Sequence, residues 1–284
     1  MKLKKLWGLI SQTFSKLTRD NVTMMAAALA YYTFFSFAPM LVIVIVIAGY
    51  FFDKSAIQNM IISQLGGFIT EEGAQGVGII LAKFMNPKAR YMASAIGITS
   101  LLLGASSVYL VLQNALNTIW ETKNNIGNNI WKFFKIGFMS LGIILILVIL
   151  FLILFIVSTV SNVVIAYSLE LLPVTYYLWS TLNILTFLII FTLIFGVIYK
   201  LLPNAEVNWN DVWPGAALAS ILFNIGRIII GAYLVKSGLK SVYGAAGSIV
   251  MLLVWIFYTS YVFLLGAEFT KVYSGLYGSR SPHK

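Results

Sequence analysis

A stretch near the middle of the chain, Leu141 to Val157, decides the fold: it reads LGIILILVILFLILFIV. None of its side chains forms hydrogen bonds, and its length approaches the roughly 20 residues that a helix needs to cross a bilayer. A helix that is apolar on every side belongs in a large protein core or in a membrane. Because no hydrogen-bonding residue marks one face, the stretch predicts a transmembrane helix with most of its circumference towards lipid.

The composition of the whole chain also indicates a membrane protein. Of its 284 residues, 60% are hydrophobic and 10% are charged. Soluble domains average roughly 45–50% apolar and about 25% charged residues. The chain therefore has too little polar surface for a globule in water, which excludes a soluble enzyme and a soluble binding protein.

Six apolar runs approach spanning length, and we number them spans 1 to 6. They cover about Met25 to Phe52, Tyr91 to Leu112, Ile136 to Val160, Leu178 to Tyr199, Val212 to Val235, and Gly247 to Glu268. The predicted fold is all-α, with a six-helix transmembrane domain over residues 21–273. Residues 1–20 are predicted to form a cytoplasmic interfacial helix, and residues 274–284 a cytoplasmic tail.

The distribution of lysine and arginine predicts the orientation of the spans. Twelve of the nineteen Lys and Arg residues lie on the side of the two termini, and six lie on the opposite side. Because basic residues are enriched in cytoplasmic loops, both termini are predicted to be cytoplasmic. The remaining basic residue, Arg227, lies inside span 5.

Two segments have amphipathic patterns without spanning length. In the first 20 residues, apolar side chains recur every three or four positions between basic ones, at Leu3, Leu6, Trp7, Ile10, Phe14 and Leu17. This pattern predicts either an interfacial helix on anionic lipid or a frame that sets the angle of span 1. Between spans 1 and 2, a predicted amphipathic helical pair is either a plain connection or a cap over a cavity. Its two stripes contain Ile57, Met60, Ile61, Leu65 and Phe68, and Val77, Ile80, Leu81 and Phe84.

Span 5 carries an intramembrane arginine on a small and polar face. Ala216, Ser220, Asn224, Arg227 and Gly231 follow one another at spacings of four, four, three and four residues, which places them on one side of a helix. Arg227 precedes Val235 by eight residues, or roughly 12 Å at 1.5 Å per residue. An arginine near the centre of a membrane helix costs about 2.5–3.5 kcal/mol on insertion scales, so it needs a partner or water.

Two interpretations of Arg227 follow from these residues. No acidic residue is an obvious mate, because Asp53 and Glu170 lie at the outer boundary and Glu268 ends span 6 at the inner one. In the first interpretation, Arg227, Asn224, Ser220 and Asn183 of span 4 line a cavity for an anion or a lipid head group. In the second, carbonyl and amide groups satisfy the arginine, which then only contributes to helix packing.

Spans 1 and 2 contain two further features. Small and polar residues recur along one face of span 2, and they predict either a tight helix–helix seam or a polar cavity wall. They are Ala93, Gly97, Ser100, Gly104, Ser107, Asn114 and Asn117. Pro39 interrupts span 1 and frees the carbonyl of Phe35, which predicts a fixed kink or, alternatively, a hinge.

The residues that usually carry catalysis and metal binding are scarce. The chain has no cysteine, and its only histidine, His283, is the penultimate residue. A zinc site needs about three protein ligands, so we expect no metal, cofactor or catalytic residues. Basic residues flank membrane segments on both faces instead of forming one groove, which argues against a nucleic-acid partner.

The motifs together resemble the YihY/BrkB family of bacterial inner-membrane proteins, formerly labelled ribonuclease BN. The resemblance covers roughly Asn21 to Tyr273. It rests on AAALAYY at 26–32 with Pro39, NALNTIW at 114–120, LLP at 201–203, WPGA at 213–216, YGAAGS at 243–248 and GAE at 266–268. It implies six helices, an inner-membrane location and an association with envelope integrity and lipid handling. The ribonuclease label fits badly, because the chain offers no metal-ligand cluster and no base near a nucleophile.

Two functions are predicted from these features. The first is a transporter or lipid translocase of the cell envelope, whose polar faces surround a passive pathway and whose partners are membrane lipids with anionic head groups. The second is a non-transporting scaffold that docks another envelope protein. An enzyme is not expected, since no paired aspartates, Ser–His pair or metal cluster lies at membrane depth.

Overall fold

A computed structural model describes residues 2–51, 107–122, 173–236 and 244–280. Side chains are described within 7–36, 107–122, 181–182, 184–230 and 250–280. These residues form helices and turns without a strand, which confirms the predicted all-α class. Span 3, most of span 2 and the helical pair between spans 1 and 2 lie outside the described residues.

Six helices are described, and we label them in chain order. They are α1 (Lys2–Arg19), α2 (Val22–Phe51), α3 (107–119), α4 (Pro173–Leu201), α5 (Trp209–Lys236) and α6 (Gly244–Leu276). The predicted interfacial helix corresponds to α1, and spans 1, 4, 5 and 6 correspond to α2, α4, α5 and α6.

Three described helices are long and apolar enough to cross a membrane. The segments that meet this requirement are Ile184–Leu201, Trp209–Ile230 and Val250–Leu276, and Val22–Ser36 is a shorter apolar stretch. The number of six spans stays a prediction. The predicted end of span 6 at Glu268 lies inside α6, which continues to Leu276 because Val272 and Ser274 are also buried.

A sharp turn joins α1 to α2. Asn21 has a φ of 51°, in the left-handed region that asparagine tolerates better than most residues. Its carbonyl accepts hydrogen bonds from the backbone of Met24 and Met25 and so begins α2. Leu9, Thr13 and Leu17 are buried along one side of α1. The helix is therefore packed against the protein along one face.

The chain divides into two compact units. Unit 1 contains Met1–Met25, Leu112–Arg227 and Tyr261–Lys284, and unit 2 contains Ala26–Val111 and Ile228–Ser260. In unit 2, the described side chains include an aromatic group on α2, where the Tyr31 and Phe35 rings lie 4.6 Å apart. In the same unit, the rings of Trp255 and Tyr258 on α6 stack on each other.

The core of unit 1 is an aromatic cluster where α4, α5 and α6 meet. The Phe191 and Phe223 ring centroids lie 4.2 Å apart, and the cluster continues through Phe195, Phe263 and Tyr199. The Tyr199 hydroxyl is buried and donates a hydrogen bond to the carbonyl of Phe263. Aromatic pairs of this kind contribute about 0.5–1.5 kcal/mol beyond their buried area. The cluster therefore fixes how the three helices pack.

Two glycines bring α5 and α6 into backbone contact. A β-carbon added at Gly266 would lie 2.7 Å from Cβ of Ala219 and 2.8 Å from the carbonyl oxygen of Gly215. A β-carbon at Gly215 would overlap Thr270 and the carbonyl oxygen of Gly266. Small residues allow such close approach of membrane helices. Both glycines belong to the blocks WPGA and GAE on which the family resemblance rests.

Candidate functional site

The polar face of α5 is partly buried against α4. Ser220 is fully buried, and its hydroxyl donates a hydrogen bond to the carbonyl of Leu188 over 2.8 Å. Asn224 is also buried, and its amide donates to the carbonyl of Ser220 over 3.1 Å. These two side chains have main-chain carbonyls as partners and lie inside the helix contact.

Arg227 lies one turn further along the same face but has a different environment. Its side chain is exposed, and its guanidinium carbon lies 4.4 Å from the centre of the Phe187 ring. Among the residues that the structure describes, no carboxylate forms an ion pair with it. A cation over an aromatic face gains roughly 0.5–2 kcal/mol, which leaves the donors of the guanidinium available to a ligand.

The predicted cavity residues belong to α4 and α5 of unit 1. Ser220 and Asn224 are buried and satisfied, and Arg227 is exposed above Phe187. Asn183 precedes Phe187 by one helical turn on α4, and its side chain lies outside the described residues. Phe187 was missed by sequence reasoning, because aromatic residues are common in α4 and only packing shows which ring meets the arginine.

Asn117 of the predicted span 2 seam and its neighbour Gln113 contact the loop that follows α4. Asn117 is buried, and its Oδ1 accepts a hydrogen bond from the backbone N–H of Asn204 over 2.8 Å. Gln113, on the same helix, donates to the carbonyl of Leu202. The blocks NALNTIW and LLP therefore meet in unit 1. Asn114 and Ser107 are partly buried, and Ala93, Gly97, Ser100 and Gly104 lie outside the described residues.

The predicted kink residue, Pro39, lies inside the continuous helix α2. Its side chain is outside the described residues, so the kink stays a prediction. The hydroxyl of Ser36 donates to the carbonyl of Thr33 over 2.8 Å, three residues earlier in the same helix.

A group of charged residues surrounds the α1–α2 turn in unit 1. We call it the charged cluster; it consists of Lys16, Arg19, Asp20, Glu121, Glu268 and Lys271. Oε1 of Glu121 accepts hydrogen bonds from Arg19 over 2.7 Å and from Lys271 over 2.9 Å. Arg19 also lies 3.3 Å from Oδ1 of Asp20. The cluster joins the end of α1, the end of α3 and the last turns of α6.

Glu121 occupies its place at some conformational cost. Its φ is 52°, and it ends α3 in a turn in which the N–H of Thr122 bonds the carbonyl of Asn117. Glycine usually takes this position at a helix end. A glutamate there costs of order 1 kcal/mol and presents its carboxylate to both Arg19 and Lys271. The hydrogen bond from Lys271 holds the pKa of Glu121 below its usual value.

The inner part of the charged cluster is buried. Burial lowers the pKa of the Lys16 ammonium group, with a further contribution from the nearby charge of Lys271. Glu268 is fully buried, and neither of its carboxyl oxygens has a hydrogen-bond partner. The sequence predicts that Glu268 ends span 6 at the inner membrane boundary, and it does not indicate this burial. One feature of the sequence could have indicated a longer helix: apolar residues continue beyond Glu268.

A second buried carboxylate holds the end of the chain. Asp211, in the first turn of α5, accepts hydrogen bonds from the Ser274 hydroxyl over 2.8 Å and from the backbone and hydroxyl of Ser279. Arg280 donates to the carbonyl of Glu206 and lies over the ring of Trp120. These contacts fold residues 277–280 back onto unit 1.

The described residues contain no group of three or more His, Cys, Asp or Glu side chains arranged to hold a metal ion.

Comparison with known proteins identifies the family. The sequence profile of the family described as Virulence factor BrkB matches residues 13–284. A UPF0761 membrane protein of Pseudoalteromonas atlantica is 30% identical over 261 residues, which are 89% of this chain and 82% of the relative. A UPF0761 membrane protein of Mannheimia succiniciproducens is 27% identical over 270 residues, 91% of this chain and 87% of the relative. No solved structure is significantly similar to the chain. The chain therefore belongs to the BrkB family of membrane proteins.

Proposed function

We propose that the protein binds the phosphate of a lipid head group at Arg227 and moves lipid passively across the membrane. The observation that carries this proposal is an exposed guanidinium on a spanning helix, held over the Phe187 ring. A guanidinium can donate hydrogen bonds to two oxygens of one phosphate. Among the described residues, no carboxylate competes for the Arg227 guanidinium.

The surroundings of Arg227 favour a lipid over a dissolved anion. Neighbouring residues of α4 and α5 in unit 1 present large exposed apolar side chains: Leu185, Ile189, Leu193, Ile221 and Ile225. Contiguous apolar surface on a spanning helix is suited to acyl chains. A ligand with a phosphate at one end and acyl chains at the other matches both surfaces.

Helix α1 supports a role at the membrane surface. Its side away from the protein exposes Trp7, Ile10 and Phe14, and it contains no acidic residue between Lys2 and Arg19. An apolar stripe beside basic residues is typical of a helix lying in the interface of an anionic membrane. In this proposal α1 lies on the cytoplasmic surface of the inner membrane, with both termini in the cytoplasm and anionic lipids as partners.

Vesicles that contain the full-length protein test the proposal. The vesicles consist of phosphatidylethanolamine and phosphatidylglycerol with a trace of lipid fluorescently labelled on its head group, and an impermeant reductant bleaches the label on the outer leaflet. We expect the protein to accelerate exchange between the leaflets relative to protein-free vesicles. One lost charge-assisted contact is worth about 1.5–3 kcal/mol, so Arg227→Gln should slow exchange about tenfold or more.

Two variants control for the charge change. Arg227→Lys keeps the charge but loses the two-oxygen grip, and we expect an intermediate rate. Arg280→Gln removes another guanidinium that lies over an aromatic ring, away from the proposed site, and should leave the rate unchanged. Equal exchange by wild type and a folded Arg227→Gln protein would contradict the proposal.

One observation favours the scaffold as a second candidate. The Ser220 hydroxyl of α5 donates to the Leu188 carbonyl of α4, as a residue that only holds two helices together does. If the protein is a scaffold, vesicles with wild type and with each Arg227 variant should all exchange lipid at the protein-free rate. A scaffold role further predicts that one envelope protein dominates after crosslinking in cells, with Arg227→Gln and wild type capturing it equally.

A further inference from the structure

The charged cluster contains an unusual set of unsatisfied atoms. In the described part of the chain, the buried side-chain polar atoms without a hydrogen-bond partner are Asp20 Oδ2, Trp120 Nε1, and Oε1 and Oε2 of Glu268. Three of these four atoms are carboxyl oxygens. The great majority of buried polar groups in folded proteins are hydrogen-bonded, so three unpaired acceptors in one place require an explanation.

The unsatisfied oxygens belong to two carboxyl groups of the charged cluster. Arg19 pairs with both Asp20 and Glu121, and Glu121 also bonds Lys271, which follows Glu268 by three residues on α6. Asp20 and Glu268 thereby come close enough to act on each other directly. The Glu268 side chain is fully buried, and the Asp20 side chain is 9% exposed. An ionised carboxylate has acceptors and no donor, so two of them repel when placed together. A single proton on either group turns this contact into an O–H···O⁻ hydrogen bond, which is among the strong kinds. Carboxyl pairs that share one proton are a known solution to this arrangement.

The neighbouring cations do not provide the missing donors. Lys271 and Lys16 both act electrostatically on Glu268, but the ammonium group of Lys271 is hydrogen-bonded to Glu121 at 2.9 Å. Arg19 contacts the other oxygen of Asp20 and also pairs with Glu121. The described residues contain no group of three or more His, Cys, Asp or Glu side chains that could hold a metal ion.

We propose that Asp20 and Glu268 bind one proton between them, and that this hydrogen bond fastens the α1–α2 turn to α6. The site is a proton-binding site outside the lipid site at Arg227, and it does not rest on the proposed function. Loss of the proton leaves two adjacent buried carboxylates, with Lys16, Arg19, Lys271 and Glu121 as the charged groups that face them. The repulsion pushes Asp20 and the end of α1 outwards, while Lys271 leaves Glu121 for Glu268. The attachment of the α1–α2 turn to α6 is then weaker at higher pH.

Infrared spectroscopy of the full-length protein in lipid nanodiscs tests for the shared proton. Between mildly acidic and mildly alkaline pH, the wild-type difference spectrum should lose the C=O stretching band of one protonated carboxyl group. Glu268→Gln and Asp20→Asn should each lack this band, and either variant suffices if the other does not fold. Glu206→Gln is the matched control, because it alters an exposed carboxyl outside the charged cluster and should keep the band.

A spin label tests the mechanical consequence. The chain has no cysteine, so Thr18→Cys at the exposed end of α1 accepts a single nitroxide label. Its mobility should increase as the pH rises in the wild-type background. It should stay constant in the Glu268→Gln background, where the amide donates permanently to Asp20. The proposal is overturned if the wild type lacks the band, if both variants keep it, or if label mobility follows sodium or potassium concentration instead of pH.

Discussion

Substitution of Gly266 by alanine is the sharpest test of the α5–α6 contact. The added methyl carbon would lie 2.5 Å from the Tyr199 hydroxyl, 2.7 Å from Cβ of Ala219 and 2.8 Å from the carbonyl oxygen of Gly215. Favourable carbon–carbon separations are about 3.5–4.0 Å, so α5 and α6 have to separate by about 1 Å. Two of the three contacts are with backbone or with a β-carbon, which no side-chain rotation can relieve.

The magnitude follows from three contributions. Overpacking of a close contact costs about 1–3 kcal/mol. Displacement of the Tyr199 hydroxyl breaks its hydrogen bond to Phe263, and a buried unsatisfied group costs about 1–3 kcal/mol. Alanine recovers about 1 kcal/mol of helix propensity relative to glycine. We therefore expect Gly266→Ala to lower the free energy of unfolding by roughly 1–5 kcal/mol.

Reversible unfolding in mixed detergent micelles measures this difference. Gly275→Ala is the matched control, because Gly275 lies on the same helix and an added β-carbon meets no atom within 4 Å. That variant should be as stable as wild type or more stable by up to about 1 kcal/mol. If Gly266→Ala matches Gly275→Ala in stability, the close packing of α5 on α6 is refuted.

Three further predictions concern the periphery of unit 1. Because its folded pKa lies below the usual value of 4.5, the Glu121 carboxylate stabilises the fold above that pH, and the contribution disappears as the pH falls through the folded pKa. Glu121→Gln should remove this acid-dependent part of the unfolding free energy, which is under about 1 kcal/mol because the side chain is exposed. Asp211→Ala removes the acceptor of the Ser274 and Ser279 hydrogen bonds and should cost about 2–3 kcal/mol. It should also speed proteolysis after Leu276, with Asp211→Asn intermediate; an unchanged cleavage rate would contradict the role of Asp211. A nitroxide label at Phe14→Cys should face lipid and be relaxed mainly by dissolved oxygen. A label at the neighbouring Ser15→Cys should face water and be relaxed mainly by a water-soluble nickel complex. Equal accessibility of the two labels to nickel would exclude α1 from the membrane interface.

The helices were largely predictable because their signal is local. Apolar length predicted α2, α4, α5 and α6 to within a few residues at most ends, and the three- to four-residue periodicity predicted α1. The largest difference is at the end of α6: the predicted span ends at Glu268, whereas the helix continues to Leu276. Hydropathy cannot distinguish a carboxyl group in water from one buried beside another acidic side chain, because that distinction depends on residues distant in sequence.

The candidate sites were predictable only in part. The spacing of Ser220, Asn224 and Arg227 correctly indicated one helical face, but not that two of them are buried and the third exposed. Ser220 lies against α4, where it donates to the Leu188 carbonyl, whereas the Arg227 guanidinium is exposed and contacts the Phe187 ring. The charged cluster was missed entirely, since its members come from α1, α3 and α6.

The sequence by itself determined that this is a membrane protein, where α1, α2, α4, α5 and α6 lie, and which family the chain belongs to. These properties depend on composition, on periodicity and on short blocks that can be read along one segment. Only the tertiary structure decided which polar groups are satisfied and which are not. Hydrogen bonds and ion pairs act over a few ångströms between residues as far apart in sequence as Glu121 and Lys271, so their partners meet only once the helices have packed.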